Sequence, residues 1–133
     1  MPYYVYAIRL NRDAMGEKPS RAFRDQNWHI DWDYPLHDGC EYYYVGQTVH
    51  SPECRFQQHK TCHKDFGSFK CICRLRKTIT KSRSNRYVRR YGLFLQPKLY
   101  ESFNPMRSRK QSEQAEKDVA DNIRELGHCV FWN

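Results

Sequence analysis

The clearest periodic pattern of apolar and polar residues lies near the C-terminus, in residues 112–126. Apolar side chains recur there every three or four positions, and Gly127 follows them as a common C-terminal stop. The pattern predicts an amphipathic helix that buries one face. The apolar positions of that face are Ala115, Val119, Ile123 and Leu126.

Two earlier segments are dense in aromatic and β-branched residues: residues 3–10, with the sequence YYVYAIRL, and residues 41–48, with EYYYVGQT. Such composition favours β-strands, and the two segments predict a hairpin. Their connection, residues 11–40, is too long for a tight turn and is typical of an ordered insertion. Residues 93–102 predict a third strand, in which Pro97 implies an edge position or a bulge.

Capping patterns predict two more helices. A serine followed by a proline opens residues 52–63, which continue without a helix breaker. A second serine precedes the sequence RYVRRY, which predicts a short helix that Gly92 ends. Residues 104–111 are polar and predict a loop. The expected fold is therefore α+β, with a small three-stranded antiparallel sheet flanked by helices.

The chain has 133 residues, which fits one domain, 1–133, with the insertion at about 11–40. No apolar run approaches the ~18 residues of a membrane span. The N-terminal segment lacks the layout of a signal peptide. We therefore expect a cytoplasmic protein that does not enter a membrane. In that compartment the six cysteines are expected as free thiols or metal ligands, not as disulfides.

The formal net charge of +8 and an aromatic content of 15% make nucleic acid the first partner to consider. Basic residues are dense between positions 74 and 90 with almost no acidic residue among them, so contact with a phosphate backbone is favoured over a solvated helix face. They are Arg74, Arg76, Lys77, Lys81, Arg83, Arg86, Arg89 and Arg90. The aromatic residues expected either to stack on unpaired bases or to join the core are Trp28, Trp32, Tyr34, Tyr87 and Tyr91.

Two tripeptides stand on the predicted hairpin strands, YVY at residues 4–6 and YVG at residues 44–46, and the next helix carries Arg55. This arrangement resembles the GIY-YIG nuclease family, in which two tripeptides lie on neighbouring strands of a small antiparallel sheet and a helix bearing an arginine follows. Tyr6 falls on the family's tyrosine, whereas Tyr4 stands where the family has glycine. The spacing between the tripeptides is longer than the family's usual hairpin.

The resemblance implies a catalytic set drawn from the two strands, the following helix and a later helix. The sequence RFQQH has an arginine and a histidine at the family's helical spacing, and a glutamate in AEKDVADNIRELG is the closest fit to the family's metal ligand. The implied catalytic residues are Tyr6, Tyr44, Arg55, His59 and Glu116, with Glu116 as the metal ligand. Gly46 and Gln47 are expected beside the DNA, and Asn133 is the candidate for an asparagine that the family has late in the domain.

Hydrolysis of a phosphodiester requires an activated water, neutralisation of phosphate charge and help for the leaving oxygen. Arg55 offers a planar fork for phosphate oxygens, and Glu116 can hold Mg²⁺ or Mn²⁺ through one carboxylate. Tyr6 is the expected general base, with Tyr44 beside it and His59 placed to share the proton transfer. Because a free tyrosine titrates at about pH 10, Arg55 and the ion must lower its pKa, and activity should rise with pH.

Two glutamates compete for the metal-binding role. Glu113 and Glu116 both lie near the N-terminus of the last helix, where the helix dipole favours a carboxylate without any ligand. Helical spacing places Glu116 on the face of Ala120 and Ile123, where an unpaired carboxylate is costly unless it binds something. Glu116 is therefore the predicted ligand and Glu113 the alternative.

A group of histidines and cysteines offers a different metal, a structural zinc ion. Its members are His59, Cys62, His63, Cys71 and Cys73. Their spacing is not one of the usual paired zinc patterns, and buried free thiols are the simpler interpretation.

The sequence thus predicts a metal-dependent DNA endonuclease, with single-stranded and double-stranded DNA both as candidate substrates. One alternative is a nucleic-acid-binding module of the same fold that has lost catalysis, suggested by Tyr4 at the position of the motif glycine. Another is a zinc-stabilised interaction domain.

Overall fold

The structure is a computed structural model that describes residues 2–15, 41–62, 68–71, 73, 75–80 and 86–132. Most of the predicted insertion lies outside these residues. The described ranges contain β-strands and α-helices together with short 3₁₀ turns. The strands are β1 (Tyr4–Leu10), β2 (Tyr42–Thr48), β3 (Ser68–Lys70), β4 (Thr78–Thr80), β5 (Gly92–Leu95) and β6 (Cys129–Phe131), and the helices are α1 (Pro52–Thr61), α2 (Arg86–Tyr91) and α3 (Arg109–Glu125).

The main sheet has four strands in the order β5-β1-β2-β6. β1 pairs antiparallel with both β2 and β5, and Tyr6 stands opposite Gly46. β6 instead runs parallel to β2, with Tyr43 opposite Val130. The α+β class is confirmed, but the expected three-stranded antiparallel sheet was wrong, because the sheet is four-stranded and mixed. The sequence CVF of β6 is buried on every residue, and so short an apolar run shows no period from which a strand could be recognised.

The predicted third strand is shorter than expected. β5 ends at Leu95, and Pro97–Leu99 forms a 3₁₀ turn. Pro97 has no N–H to donate to a strand ladder, and its restricted φ suits the start of a helical turn. The chain therefore leaves the sheet at the proline instead of continuing to residue 102.

β3 and β4 form a second, two-stranded antiparallel sheet, with Phe69 opposite Ile79. No strand was expected in this basic part of the sequence. The turn of the hairpin includes Arg76 in the left-handed region at φ 47°. Cys71 and Ile79 of this hairpin pack with Cys54 of α1 in a small cluster separate from the main core.

The two longer helices begin at serine caps. The Ser51 hydroxyl accepts a hydrogen bond from the Cys54 amide at 3.2 Å, and α1 ends at Thr61 instead of residue 63. A capping box between Ser108 and Gln111 starts α3 at residue 109, inside the segment predicted as a loop. Both starts have a local cause, because each cap satisfies amide groups that have no partner inside the helix.

α3 buries Ala115, Val119 and Ile123, as the periodicity predicted. Leu126 was expected on the same face but is 62% exposed, because it lies at the C-cap where the helix ends. Gly127 follows at φ 85°. Glycine adopts this conformation without a steric penalty, and this accounts for the predicted stop.

The centre of β1 is buried on both faces of the sheet. Consecutive residues Val5, Tyr6, Ala7 and Ile8 are at most 1% exposed, although successive side chains of a strand point in opposite directions. α3 packs on β1 and β2, and α1 packs on β1 and α2. Among the residues that the structure describes, no helix has both the length and the apolar character to cross a membrane.

Candidate active site

The hydroxyl of Tyr6 on β1 meets the ring of His59 on α1 inside the protein. Tyr6 Oη lies 3.1 Å from His59 Nε2. Both side chains are buried, with exposures of 1% and 0%. A buried phenol and a buried imidazole each need a polar partner, and each supplies it to the other.

Tyr44 on β2 completes a group of three rings. Its ring lies 5.5 Å from that of His59 in an edge-to-face arrangement and 6.3 Å from that of Tyr6. Edge-to-face contacts are favourable because the electropositive edge of one ring meets the electronegative face of another. We call Tyr6, Tyr44 and His59 the ring cluster.

Arg55 and Glu116 act electrostatically on this ring cluster. Burial raises the pKa of Tyr6 to about 12; the Arg55 guanidinium beside the hydroxyl opposes this rise, and the charge of Glu116 adds to it. Burial also raises the pKa of Tyr44, which has Arg55 and Glu116 as charged neighbours. The five side chains of the predicted catalytic set therefore lie together. Arg55 lowers the pKa of Tyr6 as expected, but burial outweighs it, so the hydroxyl keeps its proton at neutral pH.

His59 is uncharged in the same interior. Burial, and after it the positive charge of Arg55, lowers the pKa of His59 to about 3. In the tautomer that carries its proton on Nδ1, the neutral ring would accept a hydrogen bond from the Tyr6 hydroxyl at Nε2. In that tautomer His59 is a proton acceptor in contact with Tyr6 Oη.

The two competing glutamates occupy different environments on α3. Glu113 is exposed and pairs with Arg109, with 3.2 Å between Arg109 Nε and Glu113 Oε1. Glu116 is half-buried, and burial followed by the charge of Glu113 raises its pKa to about 7. Within the described ranges no basic side chain lies at ion-pair distance from Glu116. Glu116, not Glu113, is the carboxylate that acts on the ring cluster.

A cleft of about 530 Å³ opens beside Arg55. Three cationic side chains line it: Arg55 from α1, Lys77 from the β3–β4 hairpin and Arg109 from the start of α3. No acidic side chain is among the described residues that line it. Cations brought together from three separate elements make the cleft suitable for a polyanion.

Glutamines hold the cleft residues in position. The Arg55 guanidinium donates a hydrogen bond to Gln58 Oε1, one turn later on α1. Gln47 Oε1, at the end of β2, accepts a hydrogen bond from the Ser112 hydroxyl of α3. These bonds fix the direction of Arg55 and connect β2 to the helix that carries Glu116.

Of the described residues that were predicted to contact DNA, some line this cleft and others lie elsewhere. Gln47 and Lys77 line it. Gly46 does not: it is buried beneath Tyr6, and a Cβ added there would lie 2.6 Å from Tyr6 Cζ. The members that are described but lie away from the cleft are Arg76, Arg89 and Arg90. Arg74, Lys81 and Arg83 lie outside the described residues, and Arg86 begins α2.

The aromatic residues proposed for base stacking are mostly not described. Tyr91 is half-buried and packs against the main core. Tyr3, which was not among these residues, is half-buried and lines the cleft. The remaining members, Trp28, Trp32, Tyr34 and the side chain of Tyr87, lie outside the described part of the chain.

Arg109 and Asn104 are among the contributors to the site that were not predicted. Arg109 lies at the first turn of α3, and recognition of the S-x-x-Q capping box would have placed it there. Asn104 holds β1 next to Tyr6: its Oδ1 accepts from the Val5 amide at 2.8 Å and its Nδ2 donates to the Val5 carbonyl at 2.7 Å. No local pattern marks this long-range pair. Asn133, the predicted asparagine, is outside the described residues.

The predicted zinc ligands do not lie together. His59 belongs to the ring cluster, and the Cys62 thiol lies 3.8 Å from the Ile79 carbonyl oxygen. His63 is not among the described residues. Cys71 and Cys73 do lie close to each other, but the histidine beside them is His50, which was not among the predicted ligands.

Comparison of the chain with protein-family models, with curated proteins and with solved structures found no match in any of the three.

Proposed function

We propose that the protein is a divalent-metal-dependent DNA endonuclease of the GIY-YIG type. The observation that carries this proposal is the meeting of Tyr6, Tyr44, His59, Arg55 and Glu116, from two strands and two helices, beside a cationic cleft. Arg55 belongs to both the cleft and the catalytic group, so a phosphate bound in the cleft would lie next to the ring cluster.

Glu116 suits a hard divalent cation such as Mg²⁺ or Mn²⁺. Its half-buried carboxylate has a pKa of about 7 and, among the described side chains, no ion-pair partner. A cation would remove the electrostatic cost of ionising the carboxylate, and a single carboxylate leaves the ion positions for phosphate oxygens. When bound, the ion would supply Lewis-acid polarisation of the phosphate.

Arg55 has two roles in this proposal. Its planar guanidinium binds the non-bridging phosphate oxygens, and Gln58 holds it in the required direction. Its positive charge is also, after burial, the second cause of the low pKa of His59. A phosphate that neutralises this charge raises the proton affinity of His59 at the moment when the substrate docks.

Tyr6 transfers a proton away from the attacking water. Because the pKa of Tyr6 is about 12, its side chain is not a phenolate at neutral pH before the reaction begins. Instead it accepts the proton of the water as its own proton passes to His59 Nε2, 3.1 Å away. The hydroxide-like oxygen attacks phosphorus, the bond to the leaving oxygen breaks, and the leaving oxygen takes a proton from a solvent water molecule. The proton held by His59 then returns through Tyr6 to the hydroxide that this water leaves behind.

Cleavage assays with matched variants test the proposal. Labelled single-stranded and double-stranded DNA are incubated with the protein in Mg²⁺, in Mn²⁺ and in EDTA. We expect cutting that requires the metal and that is abolished in Glu116→Gln and Tyr6→Phe. Glu113→Gln is the control, because it removes a carboxylate from the same helix at an exposed position. If Glu116→Gln cut DNA as fast as Glu113→Gln does, the role of Glu116 would be refuted.

The second candidate is a nucleic-acid-binding module that has lost catalysis. It is favoured by the pKa of Tyr6, which lies far above neutrality. DNA binding that depends on Lys77 and Arg109, with no cutting by the unaltered protein in any metal, would establish this candidate instead.

A further inference from the structure

A second group of metal-ligating side chains lies outside the ring cluster. His50 Nδ1, Cys71 Sγ and Cys73 Sγ all lie within 4.8 Å of one another. His50 Nδ1 is 3.2 Å from Cys71 Sγ and 3.5 Å from Cys73 Sγ. A third thiol lies beside them: Cys54 Sγ is 2.8 Å from Cys71 Sγ, although it is not within 4.8 Å of all three of these donor atoms. We call these four residues the thiol cluster.

Three separate pieces of backbone bring the thiol cluster together. His50 follows β2, and Cys54 lies in the first turn of α1. Cys71 follows β3, and its amide donates to the Lys77 carbonyl at 2.8 Å across the hairpin. The Arg76 amide donates a hydrogen bond to the Cys73 carbonyl at 3.1 Å. This bond closes a turn that places Cys73 beside Cys71 and His50.

We infer that Cys54, Cys71, Cys73 and His50 bind one structural zinc ion as a Cys₃His site. In a tetrahedral zinc site, with Zn–S near 2.3 Å and Zn–N near 2.0 Å, neighbouring donor atoms are roughly 3.5 to 3.8 Å apart. The separations from His50 Nδ1, 3.2 Å to Cys71 Sγ and 3.5 Å to Cys73 Sγ, lie at or just below this value. The 2.8 Å between Cys54 Sγ and Cys71 Sγ is shorter, so the Cys54 side chain would have to turn toward the ion on binding. Thiolate and imidazole are the donors that zinc prefers, and four protein ligands leave no open position for substrate.

The hairpin that supplies two of the ligands needs such support. Its strands have three residues each, and a short two-stranded hairpin is at best marginally stable in water. Among the residues that the structure describes, its apolar support is small: the buried members of its cluster are Cys54, Cys71 and Ile79, with Cys73 packed against them. Small units with so little core commonly depend on a metal or a disulfide.

The zinc ion would also form one wall of the cleft. Cys54 immediately precedes Arg55, and Cys71 is hydrogen-bonded to Lys77, so the ion ties two of the three cleft cations together. His50 itself lines the cleft. This site does not depend on nuclease activity, because its ligands are distinct from the five residues assigned to catalysis.

Metal content of the unaltered protein is the first test. The protein is purified without chelator, supplied with zinc, desalted and analysed for bound metal. We expect one zinc per chain, and after exchange with Co²⁺ the intense visible absorption of a tetrahedral cobalt–thiolate centre. A protein that takes up neither metal stoichiometrically would overturn the inference, whether or not it cuts DNA.

Variants then identify the ligands. Cys54→Ser, Cys73→Ser and His50→Ala should each lose stoichiometric zinc, whereas His50→Cys should retain it because a fourth thiolate replaces the imidazole. Cys62→Ser is the control, since Cys62 is equally buried but lies apart from the thiol cluster. Full zinc retention in Cys54→Ser or Cys73→Ser would rule out the Cys₃His assignment.

The rival arrangement is a disulfide between Cys54 and Cys71. It predicts that neither thiol reacts with an alkylating agent in denaturant unless a reductant is added. The zinc site predicts that both react once the ion is removed. In excess Mg²⁺, a zinc-selective chelator should lower the melting temperature of the unaltered protein and leave Cys73→Ser unchanged; an equal melting temperature with and without chelator would contradict a structural role.

Discussion

The ring of Tyr6 lies across the bare Cα of Gly46, its partner in the antiparallel register of β1 and β2. A Cβ at position 46 would overlap the Tyr6 hydroxyl and lie 2.6 Å from Cζ. The glycine of the second tripeptide therefore provides the space that the tyrosine of the first tripeptide occupies. The same close packing directs the Tyr6 hydroxyl toward His59.

We predict that Gly46→Ala displaces Tyr6 and destabilises the protein by about 1–3 kcal/mol, the usual range for overpacking a core. Cutting should fall with it, because Tyr6 Oη leaves His59 Nε2. Urea denaturation measures the loss of stability. In a Tyr6→Ala background the methyl group has nothing to clash with, so Gly46→Ala should cost much less there; equal costs in both backgrounds would disprove the contact.

The burial of His59 should make the free energy of unfolding depend on pH under acidic conditions. Burial holds its folded-state pKa at about 3, below its ordinary value of 6.5, so the unfolded chain binds the extra proton first. Stability is fully present above pH 6.5 and is lost as the pH falls toward 3, by at most about 1.4 kcal/mol per pH unit.

Urea denaturation between pH 7.5 and pH 4.5 checks this prediction, with His59→Gln as the comparison. The stability of the unaltered protein should fall more steeply than that of the variant. Parallel curves would mean that His59 does not contribute the acid dependence.

Glu116 changes the stability of the protein with pH in the opposite direction to His59. Its folded-state pKa of about 7 lies above the ordinary value of 4.5, so ionising it costs stability as the pH rises from 4.5 to 7. Without divalent ions, Glu116→Gln should therefore be more stable than the unaltered protein at pH 8, by about 1 kcal/mol after discounting for partial solvent exposure. Mg²⁺ should stabilise the unaltered protein at pH 8 but not Glu116→Gln, and thermal melts with and without Mg²⁺ provide the measurement.

Lys77 and Arg109 should contribute affinity for DNA without base specificity. Each of Lys77→Gln and Arg109→Gln should weaken binding and reduce the slope of log affinity against log salt by about 0.9 for duplex DNA, as expected for one lost phosphate contact. Lys110→Gln is the matched control, because Lys110 is exposed next to Arg109 but does not line the cleft. An equal loss of affinity in Lys110→Gln would show that net charge, not the cleft, accounts for binding.

The fold could be predicted where a local pattern was strong. α3 shows a helical period, α1 begins at a serine–proline cap, and β1 and β2 have strand composition, so these elements were recognised with small errors at their ends. β3, β4 and β6 were missed, because a strand of three residues is too short to show a period. Their existence depends on partners elsewhere in the chain.

The sequence by itself determined the order of the principal elements, because strand composition, caps and helical spacing are local properties of the chain. The resemblance of its tripeptides to the GIY-YIG family supplied the five side chains proposed for catalysis. Only the tertiary structure decided the parallel pairing of β6, the meeting of Arg55, Lys77 and Arg109, and the high pKa of Tyr6. It also replaced His59 and Cys62 by His50 and Cys54 as partners of Cys71 and Cys73. Burial and the approach of residues distant in sequence arise from packing between elements, and no local pattern records them.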